Sequence, residues 1–498
     1  MKKILLLTIV VLGTCATSAQ PQQPPLTKAE KYLEAMHKYI TSDKLFGYVK
    51  HLSDSSFEGR LTGTAGMARA ADWAQGLFKE WGLEQITGTK DYIQEFPHPS
   101  VEVLPGSTMN IWLPVAQAKS KEPVWVAKYY PWAQWYAGGT TGSGEITADV
   151  VYAGFGVTAP DLGYDDYKNI DVKGKIVLIE GETPNTSRER ADLEKWYPYT
   201  LHQHKVENAV KHDAVGMLYK WVPGPNNGYD PNFIYAYVTD PIVDDLFAGT
   251  GYDYKTIVEK IKKEQKPASF AMGKRATIKM NAVYNPNSKG LNVIGMVKGS
   301  DPALADEFVI VSGHLDHLGM IPHHIAGAND NNSSTAVLMG VAEAFAKSGE
   351  KPKRSILFIN IDGEEAGLTG STYYTKNPLV PKDKVVAVIN LEQVGVGENI
   401  RISYKEANPE LQDYFKNANS KYIHRQLMMR PNSHITRPRT DGAVFMKAGY
   451  PCADIGAFGG GWKSYYHEPR DNWNTINPEI LQDVAKLVYW TAIEMTDK

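Results

Sequence analysis

The sequence predicts an α/β fold: a mixed, mostly parallel central sheet flanked by helices, with an inserted β-rich domain. Two observations carry this. From about Asn292 onward, short apolar runs alternate with helical stretches, as strands joined by crossovers do. From about Gly144 to Asn285 the texture changes to short β-like runs punctuated by glycines and Asp-Asp pairs. At 498 residues, 43% hydrophobic and 22% charged, the chain exceeds one ordinary domain and suffices for two or three units with their own cores.

Along the chain, residues 1–19 read as a signal peptide. Lys2-Lys3 is the basic start, Ile4 to Leu12 the apolar run, and Thr17-Ser18-Ala19 the small residues before cleavage. A rival reading takes Leu12-Gly13-Thr14-Cys15 as a lipoprotein box with Cys15 lipidated. Residues 20–143 come next, and Met67, Ala70, Ala71, Ala74, Leu77, Phe78 and Trp81 recur at helical spacing there, with Gly82 as the stop. Ahead of that helix, Glu58 to Gly66 is turn-rich. Aromatics are dense at Tyr129–Tyr136, which suits inter-domain contact or a wall facing a ligand.

The insertion, 144–285, has strand-like runs at Ala148–Ala153, Lys175–Glu180 and Val215–Tyr219. In 286–498 the spacing predicts strands over Phe308–Val311, Ser355–Ile361 and Lys384–Leu391. Helices are predicted over Ser333–Lys347, capped by Ser333 or Ser334, and over about Leu368–Lys376. A last helix starts at Asn477-Pro478, a cap followed by proline in the first turn.

A formal net charge of −3 argues against a nucleic-acid or anionic-membrane partner. Once the signal is removed, no transmembrane segment is expected. Of two cysteines, one lies in the signal, so Cys452 is left without an intramolecular partner and reads as a buried small apolar residue. Oligomeric state is not legible.

The unusual polar residues fall at matching points. His314-Leu-Asp316 follows the first of those strands, Asp362-Gly-Glu364-Glu365 the second and Glu392 the third. Carboxyl ends of parallel strands are where such sheets hold ligands. Gly327-Ala-Asn-Asp330-Asn331-Asn332 precedes a helix, and His467 and Asp471 precede the last one. A fold gathering five or more carboxylates needs cations to neutralise them.

These motifs make the chain similar to zinc metallopeptidase family M28, the aminopeptidase Y and bacterial leucine aminopeptidase group. The stretches are Ser312–Gly319, Gly327–Ser333, Glu364–Ser371, Asn390–Gly395 and Tyr466–Asp471. Val150–Gly156, Asp165–Val177 and Ala214–Leu218 resemble a protease-associated (PA) domain. The resemblance makes 286–498 the catalytic peptidase domain, 20–143 its N-terminal part and 144–285 a PA-like insertion. It implies two metal ions, Zn2+ or alternatively Co2+ or Mn2+. One would be held by His314 and Glu392, the other by Glu365 and His467, with Asp330 bridging. Glu364 would be the general base, Asp316 the carboxylate orienting His314, and Tyr466 an oxyanion partner. Two positions depart from the family: Glu392 stands where an Asp is usual, and Gly442 where a His is common, which bears on the substrate pocket.

The resemblance implies an exported, periplasmic or secreted exopeptidase acting on peptides, an aminopeptidase first. A carboxypeptidase using Arg437 and Arg439, a glutaminyl cyclase and a receptor-like binding protein are the alternatives. His317, His323 and His324 line the entrance or are satisfied loop histidines.

Overall fold

The computed structural model describes residues 26–117, 120–224, 228–432 and 438–498. The signal peptide, Cys15 and Arg437 lie outside these residues. No described helix is long and apolar enough to cross a membrane.

Two eight-stranded sheets organise the chain. In the first, Ser355–Ile361, Phe308–His314, Val385–Leu391 and Cys452–Phe458 lie side by side and parallel. Lys289–Val297 and Ile93–Pro97 extend one edge antiparallel, and Asn399–Lys405 and Leu427–Asn432 form the other. The first three of the parallel strands are almost wholly buried, as a sheet covered on both faces requires. One face is covered by a large apolar cluster that includes the helices Ala65–Trp81, Ser333–Lys347 and Pro478–Asp497. Phe445, Met446 and Tyr374, from two shorter helices, cover the other. Cys452 is a buried free thiol.

Local chemistry accounts for most boundaries. The helix Ala65–Trp81 buries the predicted stripe and ends on Gly82, whose φ of 77° suits glycine. Pro478–Asp497 is capped by Asn477, whose side chain accepts from the Glu479 N–H. The Ser333–Lys347 helix has the predicted bounds but not the predicted cap. Ser333 and Ser334 are already helical, and their hydroxyls donate back to the Asn329 carbonyl and to Asn331 Oδ1. The first strand runs on to His314 because Leu391 and Ile361 continue to pair alongside it.

The second sheet contains four consecutive parallel neighbours: Gly144–Tyr152, Ile176–Glu180, Gly216–Lys220 and Ile234–Val238. Three strands from within 20–143 also join it: Thr108–Gln117, Ser120–Tyr129 and Trp135–Ala137. Sequence patterning missed Ile234–Val238, which is buried throughout and carries no alternation to betray it. A shared apolar cluster joins the sheets. Leu318, Ile321 and Ile325 from the loop after the His314 strand pack with Tyr136, Tyr235 and Val177. Trp132 lies 4.7 Å from the His323 ring. The aromatic run at 129–136 therefore serves inter-sheet contact, although Tyr129 itself is exposed.

Candidate metal centre

Three strand ends deliver the acids and one histidine. His314 closes its strand, Glu364 and Glu365 follow Ser355–Ile361 after a Gly363 turn, and Glu392 is the first residue beyond Val385–Leu391. Asp330 comes from the turn before the Ser333 helix. Asp471 holds that turn, its two oxygens accepting from the Asn329 and Asp330 N–H groups at 2.8 and 3.0 Å. His467 arrives from the loop before the last helix with a φ of 58°, an uncommon conformation for a side-chain-bearing residue.

The structure brings all five predicted ligand residues together. His314 Nε2 stands 3.2 Å from Asp330 Oδ1 and 3.6 Å from Glu392 Oε1. His467 Nε2 is 2.9 Å from Glu365 Oε2 and 3.5 Å from Asp330 Oδ2. Asp330 thus lies between two pairs. Glu392, the longer side chain, reaches His314 without displacing Asp330. Glu364 lies further out, 4.0 Å from His314 Nε2.

Several buried side-chain atoms here make no well-aligned hydrogen bond despite close neighbours: His314 Nε2, His467 Nε2 and Glu392 Oε2. Buried polar atoms normally find partners, so this convergence of orphaned donors and acceptors on one spot fits a bound cation. His314, Asp330 and Glu392 each offer an atom within 4.8 Å of the others, as do His317, Asp330 and Glu365. Nitrogen and oxygen donors without thiolate suit zinc, and also cobalt or manganese.

The electrostatics agree. Burial pushes the Glu392 carboxyl up to about 8 and the Glu364 carboxyl well above its usual range, where Glu392 and Glu365 add to the effect. Burial acts on Asp330 and Glu365 too, but the neighbouring histidines outweigh it. Asp330 is held far below the carboxylate range and Glu365 at about 2. Against its own burial, His467 is raised to about 10, chiefly by Glu365.

Asp316 works differently from the sequence expectation. The His314 Nδ1–H donates to the Asp316 main-chain carbonyl at 3.1 Å, while the carboxylate is 3.6 Å away. The carboxylate oxygens instead accept the Glu364 and Glu365 N–H groups, each at 3.1 Å. Asp316 therefore positions both the histidine and the Glu364-Glu365 turn.

Sequence reasoning missed three residues. His317 is fully buried, and its Nδ1 lies 2.7 Å from Glu365 Oε1, so it sits inside the centre and not at its entrance. The visible signal was a second histidine flanking Asp316. Arg60 is fully buried beneath the site and donates to the carbonyls of Leu315, Leu52 and Ala326 at 2.8–2.9 Å, and to Gly327. It thereby ties the His314 loop to the Asp330 loop. Gly59 makes this approach feasible: a Cβ there would stand 2.5 Å from the Gly319 carbonyl oxygen. The third is Pro223, whose carbonyl accepts from His467 Nδ1–H, so the loop after the second sheet's Gly216–Lys220 strand supplies the orienting partner for this histidine.

A cavity of about 700 Å³ opens over Glu364, Glu365 and His467. Leu368 and Val444 give it apolar wall, Trp221 and Pro223 close it from the side of the second sheet, and Arg439 pairs with Glu182 across the gap at 3.1 Å. The Tyr466 ring stacks 3.7 Å from the His467 ring and is 44% exposed along this cavity. Its hydroxyl is raised well above the phenol range by burial and by the four site carboxylates. Gly442 is not on the cavity wall. A Cβ there would lie 2.8 Å from the Asp454 carboxyl carbon, which leaves no room for the family's histidine. His323 is exposed and His324 half-buried.

Residues 292–492 match the family description Peptidase family M28. The chain is 24% identical over 408 residues to a protein named glutamate carboxypeptidase 2 homolog from Caenorhabditis briggsae, covering 69% of this chain and 50% of that one. It therefore spans about half the length of that relative. Two solved structures share the fold at 19% identity. One is a zinc aminopeptidase from Bacillus subtilis (TM-score 0.61, 92% of this chain and 96% of the other). The second is a peptidase M28 precursor from Shewanella amazonensis SB2B (TM-score 0.63, 95% and 98%).

Proposed function

We propose that this protein, whose residues 292–492 match Peptidase family M28, is an exported, co-catalytic two-zinc exopeptidase that acts as an aminopeptidase on peptides. The observation that carries the reading is the set of buried, unpartnered atoms His314 Nε2, His467 Nε2 and Glu392 Oε2 gathered around Asp330. His314 and Glu392 would hold one ion, Glu365 and His467 the other, with Asp330 between them. His317 fits better as the group that fixes the second oxygen of Glu365. Bound zinc supplies Lewis acidity and a water that is acidic near neutral pH.

This chain's own residues do the rest. Glu364, on a turn held by both oxygens of Asp316, takes the proton of the attacking water and returns it to the departing amine. Tyr466 offers its hydroxyl to the carbonyl oxygen of the scissile bond. A free peptide amine leans on the surrounding carboxylates, and Leu368 and Val444 receive the first side chain. The Val150–Gly156 and Asp165–Val177 stretches support reading the second sheet as a PA-like domain. Export rests on the basic, apolar and small-residue order of the first nineteen residues.

A carboxypeptidase is the second reading. Lys376, Lys447 and Arg439 stand at the rim of the same cavity and would suit a terminal carboxylate. A panel of free, N-acetylated and C-amidated dipeptides with product analysis decides between them. Loss of cleavage on N-acetylation is expected; loss on amidation would replace the aminopeptidase reading. Zinc analysis of the purified chain is expected to give two ions, and none would sink both readings.

A further inference from the structure

Behind the Trp221–Pro223 segment lies a second cavity, of about 970 Å³. It sits at the carboxyl ends of the second sheet's parallel strands, where Glu180 and Lys220 are the final residues and Thr239 follows the third. Open α/β sheets present ligand sites at that edge. The helix Tyr254–Glu264 adds Tyr254 and Lys262, and residues 466–470 close the far side. None of the chemistry assigned to the metal centre uses Glu180, Tyr254 or Lys262.

Glu180 is the unusual group. It is only 6% exposed, its Oε2 accepts from the Tyr254 hydroxyl at 2.9 Å, and its Oε1 is buried with no hydrogen-bond partner. A buried carboxylate oxygen in that state gains from any donor that reaches it, most of all a cationic one. The cavity is not simply acidic. Lys220 is neutralised by Asp240 at 2.6 Å. Lys262 has no carboxylate within ion-pair distance among the described residues, and its ammonium lies 5.8 Å from the Phe155 ring centre. The cavity therefore presents one acceptor lacking a donor and one cation lacking an anion, with Phe155, Val238 and Trp221 as apolar wall.

We propose that this cavity binds a free α-amino acid with an apolar side chain, its ammonium on Glu180, its carboxylate on Lys262 and its side chain against Phe155 and Val238. The site would also be in touch with the metal centre. Trp221, Val222 and Pro223 line both cavities, and the Pro223 carbonyl holds His467. An exopeptidase releases molecules of this class, but the binding stands apart from turnover and is measured without a substrate.

The test is calorimetric titration of the full chain, with its metals, by L-leucine, L-leucinol and N-acetyl-L-leucine. Saturable leucine binding is expected. Loss of the carboxylate in leucinol, or of the ammonium in the acetyl derivative, should weaken it by roughly tenfold or more. Glu180→Gln should weaken leucine by a similar factor, and Lys262→Ala, an exposed position that folding tolerates, by several-fold. Leucine held at the metal centre would be insensitive to both substitutions. Undiminished binding in both variants, or no saturable binding to the wild type, overturns the proposal. A chain inactive on every dipeptide but showing this pattern would overturn the peptidase reading and leave the amino-acid site standing.

Discussion

Two sheets in this molecule turn the carboxyl ends of parallel strands toward one gap, and they fill those ends with opposite kinds of chemistry. The first ends in His314, Glu364-Glu365 and Glu392, with Asp330 and His467 added from loops. The second ends in Glu180, Lys220 and Thr239, with Lys262 nearby. The first set is dominated by one sign, and its carboxyls are pushed to both extremes: Glu392 up to about 8, Glu365 down to about 2. The second set mixes signs and settles Lys220 on Asp240. Strand-end geometry provides a place for a ligand; the charge balance there decides whether it suits a metal ion or a small zwitterion.

The largest effect expected is at the proton carrier. Glu364→Gln should lower kcat by about a thousandfold while zinc content stays at the wild-type level, since neither metal pair requires this side chain. Wild-type-like hydrolysis would remove the general base from the first site. Next comes Arg60→Met, which leaves buried carbonyls of two site loops without donors. Urea unfolding should report a loss of several kcal/mol. A loss under about 1 kcal/mol would mean water replaces the guanidinium.

His317→Ala should weaken zinc retention by about 10–100-fold in competition with a chromogenic chelator, because Glu365 loses the partner that fixes its second oxygen. Unchanged retention would assign His317 to neither ligation nor positioning.

The second site is expected to declare itself in the pH dependence of stability. Burial raises the Glu180 carboxyl from 4.5 to about 7, so the folded chain binds that proton more tightly than the unfolded chain. Its contribution is fully present below pH 4.5 and is lost as the pH rises through 7. Glu180→Gln should therefore run level with the wild type below pH 4.5, gain on it across that window by about 1–3 kcal/mol and keep that lead above pH 7. A flat difference would place the Glu180 carboxyl in water. The smallest effect is at the seam between the two sheets. Arg439→Ala breaks a partly exposed pair with Glu182 and should cost at most about 1 kcal/mol in thermal unfolding, although it should alter dipeptide KM if the rim meets a carboxylate.

Much of the first site was legible because His314, Asp330, Glu365 and Glu392 sit at or near the end of a strand or helix that periodicity reveals. Glu392 needs only the end of an apolar run, and Asp330 only the start of a helix. Arg60 was not legible: one arginine in a glycine-rich turn carries no mark of the four carbonyls, from residues 52 to 327, that it will meet. His317 was visible as a residue but not as a role, since burial decides between an entrance histidine and one holding a carboxylate. The Ser333 cap was misplaced for a related reason. Its hydroxyl has a carbonyl four residues back to serve, and only the folded turn at 328–332 shows that.

By itself, the sequence determined which strands end in acids and histidines, because hydrophobic period and polar interruption are properties of neighbouring residues. It also determined the donor chemistry, oxygen and nitrogen without sulfur, which suits zinc, cobalt or manganese. Tertiary structure decided which donors face one another: His314 against Asp330 and Glu392, His467 against Glu365 with the Pro223 carbonyl from the second sheet's side behind it. It also decided that Asp316 acts on the Glu364-Glu365 turn as well as on His314. All of these but the His314–Asp316 bond join residues from more than a dozen to hundreds of positions apart. Their geometry is set by how two sheets and their loops pack, which no local pattern encodes.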